Sequence, residues 1–143
     1  MKKINPDVFD VFLEDFPTSN STSGDRDDVN MNGVSPGLIM GVILKGITTY
    51  LLISIKYQKE HPEKWEIVRE SIKKKYYIRL YNYLLLINLT KADNVSQCLS
   101  YGITPVTEVL SHLLKAFEEW EYYENCAVIK QYIDCFTLSD PLT

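Results

Sequence analysis

The chain has 143 residues, 45% of them hydrophobic and 24% charged, with a formal net charge of −4 and a pI near 5.2. That length fits one domain able to bury a core without staples, and that balance excludes a disordered or fibrous chain. The net charge hides a split: residues 1–34 hold three Lys/Arg against seven Asp/Glu, residues 35–91 ten against four, and residues 92–143 two against eight. A basic half is therefore joined to an acidic half. Either the basic half attracts nucleic acid or membrane, or the two halves pack on each other.

Asn5-Pro6 is followed by Val8, Phe9, Phe12, Leu13 and Phe16 at helical spacing, with Asp7, Asp10, Glu14 and Asp15 on the other side. This predicts a short amphipathic helix. Residues 17–33, PTSNSTSGDRDDVNMNG, have almost nothing to bury, so ordering entropy favours a flexible linker. Residues 1–34 are thus expected to be a short helix plus an acidic linker, ahead of an all-helical domain at 35–143. Such an arm either docks on another protein or folds back onto its own domain.

Ser35 as N-cap with Pro36 at the first helical position predicts the next helix. Residues 37–55, GLIMGVILKGITTYLLISI, carry one charge, Lys45, and are long enough to span a membrane. A charge near the centre of a span costs about 2.5–3.5 kcal/mol. Lys45, Thr48, Thr49, Leu52, Lys56 and Lys59 form one stripe opposite Ile39, Val42, Ile43, Gly46, Ile47, Tyr50 and Leu51, the pattern of a soluble core helix. Gly37-x-x-x-Gly41 allows close helix approach.

His61-Pro62 ends that helix and starts another, in which Trp65, Val68, Ile72, Tyr76, Leu80, either Tyr83 or Leu84, and Ile87 recur at threes and fours to about Leu89. A polar connection with a single helical turn follows, stopped by Gly102. Thr104-Pro105 predicts a third core helix carrying Val106, Val109, Leu110, Leu113, Leu114 and Phe117. After an acidic, aromatic bend, Tyr123, Cys126, Ala127, Ile129, Ile133 and Phe136 make a fourth stripe, and Pro141 closes the tail.

Tyr123-Glu124, the small pair Cys126-Ala127 and Lys130-Gln131 are similar to the UVR motif, a short helical hairpin at the end of bacterial excision-repair proteins and in some stress-protease partners. Lys130-Gln131 stand where that family has Arg-Asp. The resemblance covers residues 117–133 and implies a hairpin that docks onto other proteins. It makes Trp120, Tyr122, Tyr123 and Glu124 the candidate partner-binding residues, since aromatics are common interface anchors. The other reading is that the aromatics finish the core.

No Gly-rich phosphate loop, Ser/His/Asp order or apolar carboxylate pair is present, so no enzyme activity and no cofactor are expected. His61 and His112 have no evident partner in sequence. Cys98, Cys126 and Cys135 do not make a spaced metal quartet, and no metal is expected. Their odd number, the lack of a C-x-x-C pair and of a secretory start predict reduced thiols in a cytoplasm, where the Asn20, Asn88 and Asn94 sequons carry no meaning. Lys73, Lys74, Lys75 and Arg79, interleaved with Tyr76 and Tyr77, are the nucleic-acid candidate, set against an acidic whole.

The expected fold is all-α: a four-helix, mostly antiparallel bundle-like domain with a C-terminal hairpin at 105–136, behind the flexible acidic arm. The expected function is a non-enzymatic protein–protein interaction module acting as adaptor, inhibitor or assembly component. Its partner is a protein or a second copy. The Lys-, Ile- and Asn-rich composition points to a low-GC bacterium or its phage, where the module would serve in a virion or against a host factor. The alternatives are a nucleic-acid binder through residues 73–79 and a membrane-associated protein through 37–55.

Overall fold

The computed structural model describes residues 33–139. The amphipathic segment, nearly all of the linker and the Pro141 tail lie outside the described residues. Five helices follow in order: α1 (Pro36–Glu60), α2 (Pro62–Leu84), α3 (Ala92–Leu99), α4 (Ile103–Glu119) and α5 (Tyr123–Ser139), with no strand among the described residues. The fold is all-α.

Ser35 is extended and its hydroxyl accepts the Leu38 N–H at 3.3 Å, so α1 opens on the expected cap with Pro36 behind it. His61 alone separates α1 from α2. Tyr57 meets Trp65 at 6.0 Å between ring centroids while Tyr50 meets Tyr76 at 5.3 Å, so the two helices run antiparallel. Leu51, expected inside, is 43% exposed; Ser54 is buried instead.

α2 stops at Leu84, five residues before the expected end at Leu89. An asparagine turn competes with the helix there. Asn88 Oδ1 accepts the Thr90 N–H at 2.9 Å, and the Asn88 N–H donates to Asn94 Oδ1 at 3.0 Å. The turn still drives Ile87 into the core, and its carbonyl accepts the Tyr132 hydroxyl of α5 at 2.8 Å.

The expected single turn is two turns long as α3, and it lies against the start of α1. The Gly37 N–H donates to Gln97 Oε1 at 3.2 Å, and the Tyr101 hydroxyl donates to the Gly37 carbonyl at 2.8 Å. A Cβ at Gly41 would stand 2.5 Å from that hydroxyl, so Gly41 makes room for the tyrosine that trails α3. Gly102, at φ 97, takes a backbone shape closed to other residues and flanks α4, which begins at Ile103 rather than behind a Thr104 cap. Thr107 turns its hydroxyl back to the Ile103 carbonyl at 2.9 Å, and Pro105 sits in the first turn, where no N–H is required.

One core joins the four long helices. Met40 and Ile43, Tyr77 and Leu80, Leu110 and Phe117, and Ile129 and Phe136 are all sealed from solvent. On α5 the inward face is Cys126, Ile129, Tyr132 and Phe136, with Tyr123 and Ala127 exposed against expectation. Ala127 is therefore not a point of close helix approach. The small residue that faces the core is Cys126.

Candidate functional site

The α4–α5 bend is built by backbone bonds that its sequence does not announce. The Glu121 N–H donates to the Glu118 carbonyl at 3.0 Å and the Tyr122 N–H to the Phe117 carbonyl at 2.9 Å. Between them Glu121 stands at φ 62, the left-handed region. This is a Schellman cap, a motif in which glycine is usual at the left-handed position. The ring of Tyr122 meets Phe117 edge-on at 5.9 Å, supplying the hydrophobic contact that accompanies such caps.

Trp120 is half-buried and lies 5.6 Å from Phe117, 6.0 Å from Tyr122 and 6.1 Å from Tyr77 between centroids. Its indole N–H donates to Glu70 Oε1 of α2 at 3.3 Å. The basic run of α2 reaches the same rings. Lys73 Nζ stands 5.5 Å from the centre of Tyr77 and 6.0 Å from that of Trp120, while Lys74 Nζ stands 5.8 Å from Trp120 and 5.6 Å from Tyr122. Two regions that the sequence holds almost fifty residues apart are thus one joint, closed by cation–π contacts of the kind worth about 0.5–1 kcal/mol each at exposed sites.

The remaining expected site residues fall elsewhere. Tyr123, 65% exposed, and Glu124 project from the first turn of α5. Lys75 faces solvent, and Arg79 donates through Nη1 to the Tyr83 hydroxyl at 3.2 Å. The basic run is therefore divided between the joint and the surface and does not present four cations together.

His112 has a partner after all: its Nε2 is 2.8 Å from the Tyr77 hydroxyl. Burial, and then the neighbouring Tyr50 and Tyr76, raise the Tyr77 pKa and keep its hydroxyl protonated. Burial first, and then the positive charges of Lys73 and Lys115, hold His112 below its ordinary value and favour the neutral ring, whose tautomer decides which of the two groups donates. Periodicity along one helix cannot show a contact that crosses to another. His61 likewise lies against Tyr57, with centroids 5.1 Å apart.

Burial pushes the Cys98 thiol up to about 12 and raises Cys126, so both stay protonated and neither acts as a thiolate nucleophile. Among the described residues no three His, Cys, Asp or Glu side chains stand together as a metal site. A wide groove of about 1100 Å³ runs along α3 to the ends of α4 and α5, with Leu89, Val95, Leu99, Ile103 and Cys135 in its wall; none of the described residues that line it is charged. No family model, curated protein or solved structure matches the chain.

Proposed function

We propose that the protein is a non-enzymatic interaction module that engages a protein partner, or a second copy of itself, on the outer side of the α4–α5 bend. In this reading α1, α2, α4 and α5 are a four-helix, mostly antiparallel framework, with α3 as a strut. The observation that carries it is Tyr123: a large aromatic 65% exposed, next to half-buried Tyr122 and Trp120, on a capped and clasped turn. An anchor already held in place loses little entropy on binding. Glu118, Glu119, Glu121 and Glu124, all exposed, lie within five residues of it in sequence and favour a partner with basic groups at its rim. The likeness of 117–133 to the UVR hairpin, which docks onto other proteins, supports the same use.

Binding to nucleic acid through the basic run is the weaker reading. Lys73 and Lys74 are engaged with rings, and the carboxylates of the bend stand on the same joint.

The experiment is the double change Tyr123→Ala with Glu124→Gln. Self-association by sedimentation, and capture of partners from the native cell, should weaken by about 2 kcal/mol or more, the hot-spot scale, with an unchanged denaturant melt. Association and capture equal to the unaltered protein would refute the site.

A further inference from the structure

The most apolar helix of the fold is also the one left uncovered on one side. α1 is the helix among the described residues that is long and apolar enough to cross a membrane, yet only 44% of its most apolar window is buried. Leu38, Leu52 and Ile55 are 55%, 64% and 63% exposed, and Leu51 adds to them. Lys45, Lys56 and Lys59 share the open side, and the only acid on α1 is Glu60 at its last position. This is a basic, aliphatic face about 37 Å long at 1.5 Å per residue.

The geometry points to the chain's own residues 5–16 as the occupant of this face. Val8, Phe9, Phe12, Leu13 and Phe16 offer a matching apolar stripe, and Asp7, Asp10, Glu14 and Asp15 flank it with the opposite charge. Among the described residues that line it, the groove along α3 offers that segment no cation. Reach agrees as well. The tether, residues 17–34, is eighteen residues long and joins the fold where α1 begins. A flexible chain of that length has an end-to-end distance of about 21–25 Å. Leu52 lies sixteen residues beyond Pro36, about 24 Å along the helix axis. A tether whose natural span equals the distance to its site gives the highest effective concentration, in the millimolar range. The N-terminal segment thus covers α1 in cis, and screens from membranes and from other copies a helix that would otherwise expose four large aliphatic side chains.

Hydrogen–deuterium exchange of the full chain, read on peptides within residues 5–16, tests this. At millimolar effective concentration a contact of about 100 μM intrinsic affinity is closed about ten to one, so exchange should be about tenfold slower than for the free peptide. The protection should not depend on protein concentration. It should vanish in Leu52→Glu with Ile55→Glu, and equally in Phe12→Asp, a change within the docking segment itself. Free-peptide exchange in the unaltered chain would overturn the proposal. So would protection that grows with protein concentration, which assigns the face to a second copy, or protection that requires phosphatidylserine vesicles, which assigns it to a membrane surface.

Discussion

The α4–α5 hairpin turns through a left-handed Glu121 and buries one narrow stripe on each helix, whereas α1–α2 turns through His61 alone and leaves aliphatic side chains on both sides of α1. In α4 the choice of inner face is made by contrast within the helix. Val106, Val109, Leu110, Leu113 and Phe117 lie on one side, with Glu108, Ser111, His112 and Lys115 on the other. In α1 the contrast is weak, and the choice is made by the neighbour. Tyr50 packs against the rings of Tyr76 and Tyr77 of α2, Gly41 admits Tyr101 behind α3, and the side carrying Leu52 and Ile55 is left over. A helix with a strong polar face declares its orientation alone. An apolar helix takes its orientation from what packs on it.

That difference can be broken first at its extremes. Phe117→Ala removes a sealed ring that touches Tyr81, Trp120 and Tyr122, and should cost about 3–5 kcal/mol in a urea melt. Leu52→Ala on the open side of α1 should cost less, no more than about 1.4 kcal/mol even if the docked N-terminal segment is released with it. Equal losses would show that both faces of α1 are core.

The bend itself offers the next test. Glu121 holds a left-handed backbone that costs a residue with a Cβ about 1–2 kcal/mol and costs glycine little. Glu121→Gly should therefore raise unfolding stability, by up to about 1 kcal/mol once the looser unfolded chain is counted. A lowered thermal midpoint would mean that the Glu121 side chain stabilises the turn more than its backbone strains it.

The smallest effect lies where the two hairpins meet, at Tyr77 and His112. His112 has its folded pKa below the ordinary 6.5 because of burial and the charges of Lys73 and Lys115. Below 6.5 the unfolded chain binds the proton more readily than the folded one, so this contribution is fully present above 6.5 and is lost as pH falls. The melting midpoint should decline from about pH 7 to about pH 5.5, before the carboxylates titrate, and the decline should flatten in His112→Gln.

The sequence shows helix starts well where the chemistry is local, at Ser35-Pro36 and Pro62, whereas Thr104 does not cap α4, which begins one residue earlier behind Gly102. It shows the inward face of α4 for the same reason. It hides the end of α2, because Leu85, Leu86 and Ile87 extend the apolar pattern while Asn88 and Asn94 impose a turn by side-chain bonds. It also hides the joint at the bend. In sequence Lys73 and Lys74 belong to a basic run that suggests nucleic acid, and only the fold brings them over Trp120 and Tyr122. The aromatics of the bend divide between two roles that their spacing does not separate: Trp120 and Tyr122 pack against the core, and Tyr123 does not.

That division is most directly tested by a pair of denaturant melts on Trp120→Ala and Tyr123→Ala. Trp120 packs on three rings and donates to Glu70, so its loss should cost about 2 kcal/mol or more. Tyr123 should cost less than about 0.5 kcal/mol, as a side chain held out for a partner rather than for the core. A Tyr123→Ala melt lowered as far as that of Trp120→Ala would place Tyr123 in the structure's support and contradict the proposed binding face.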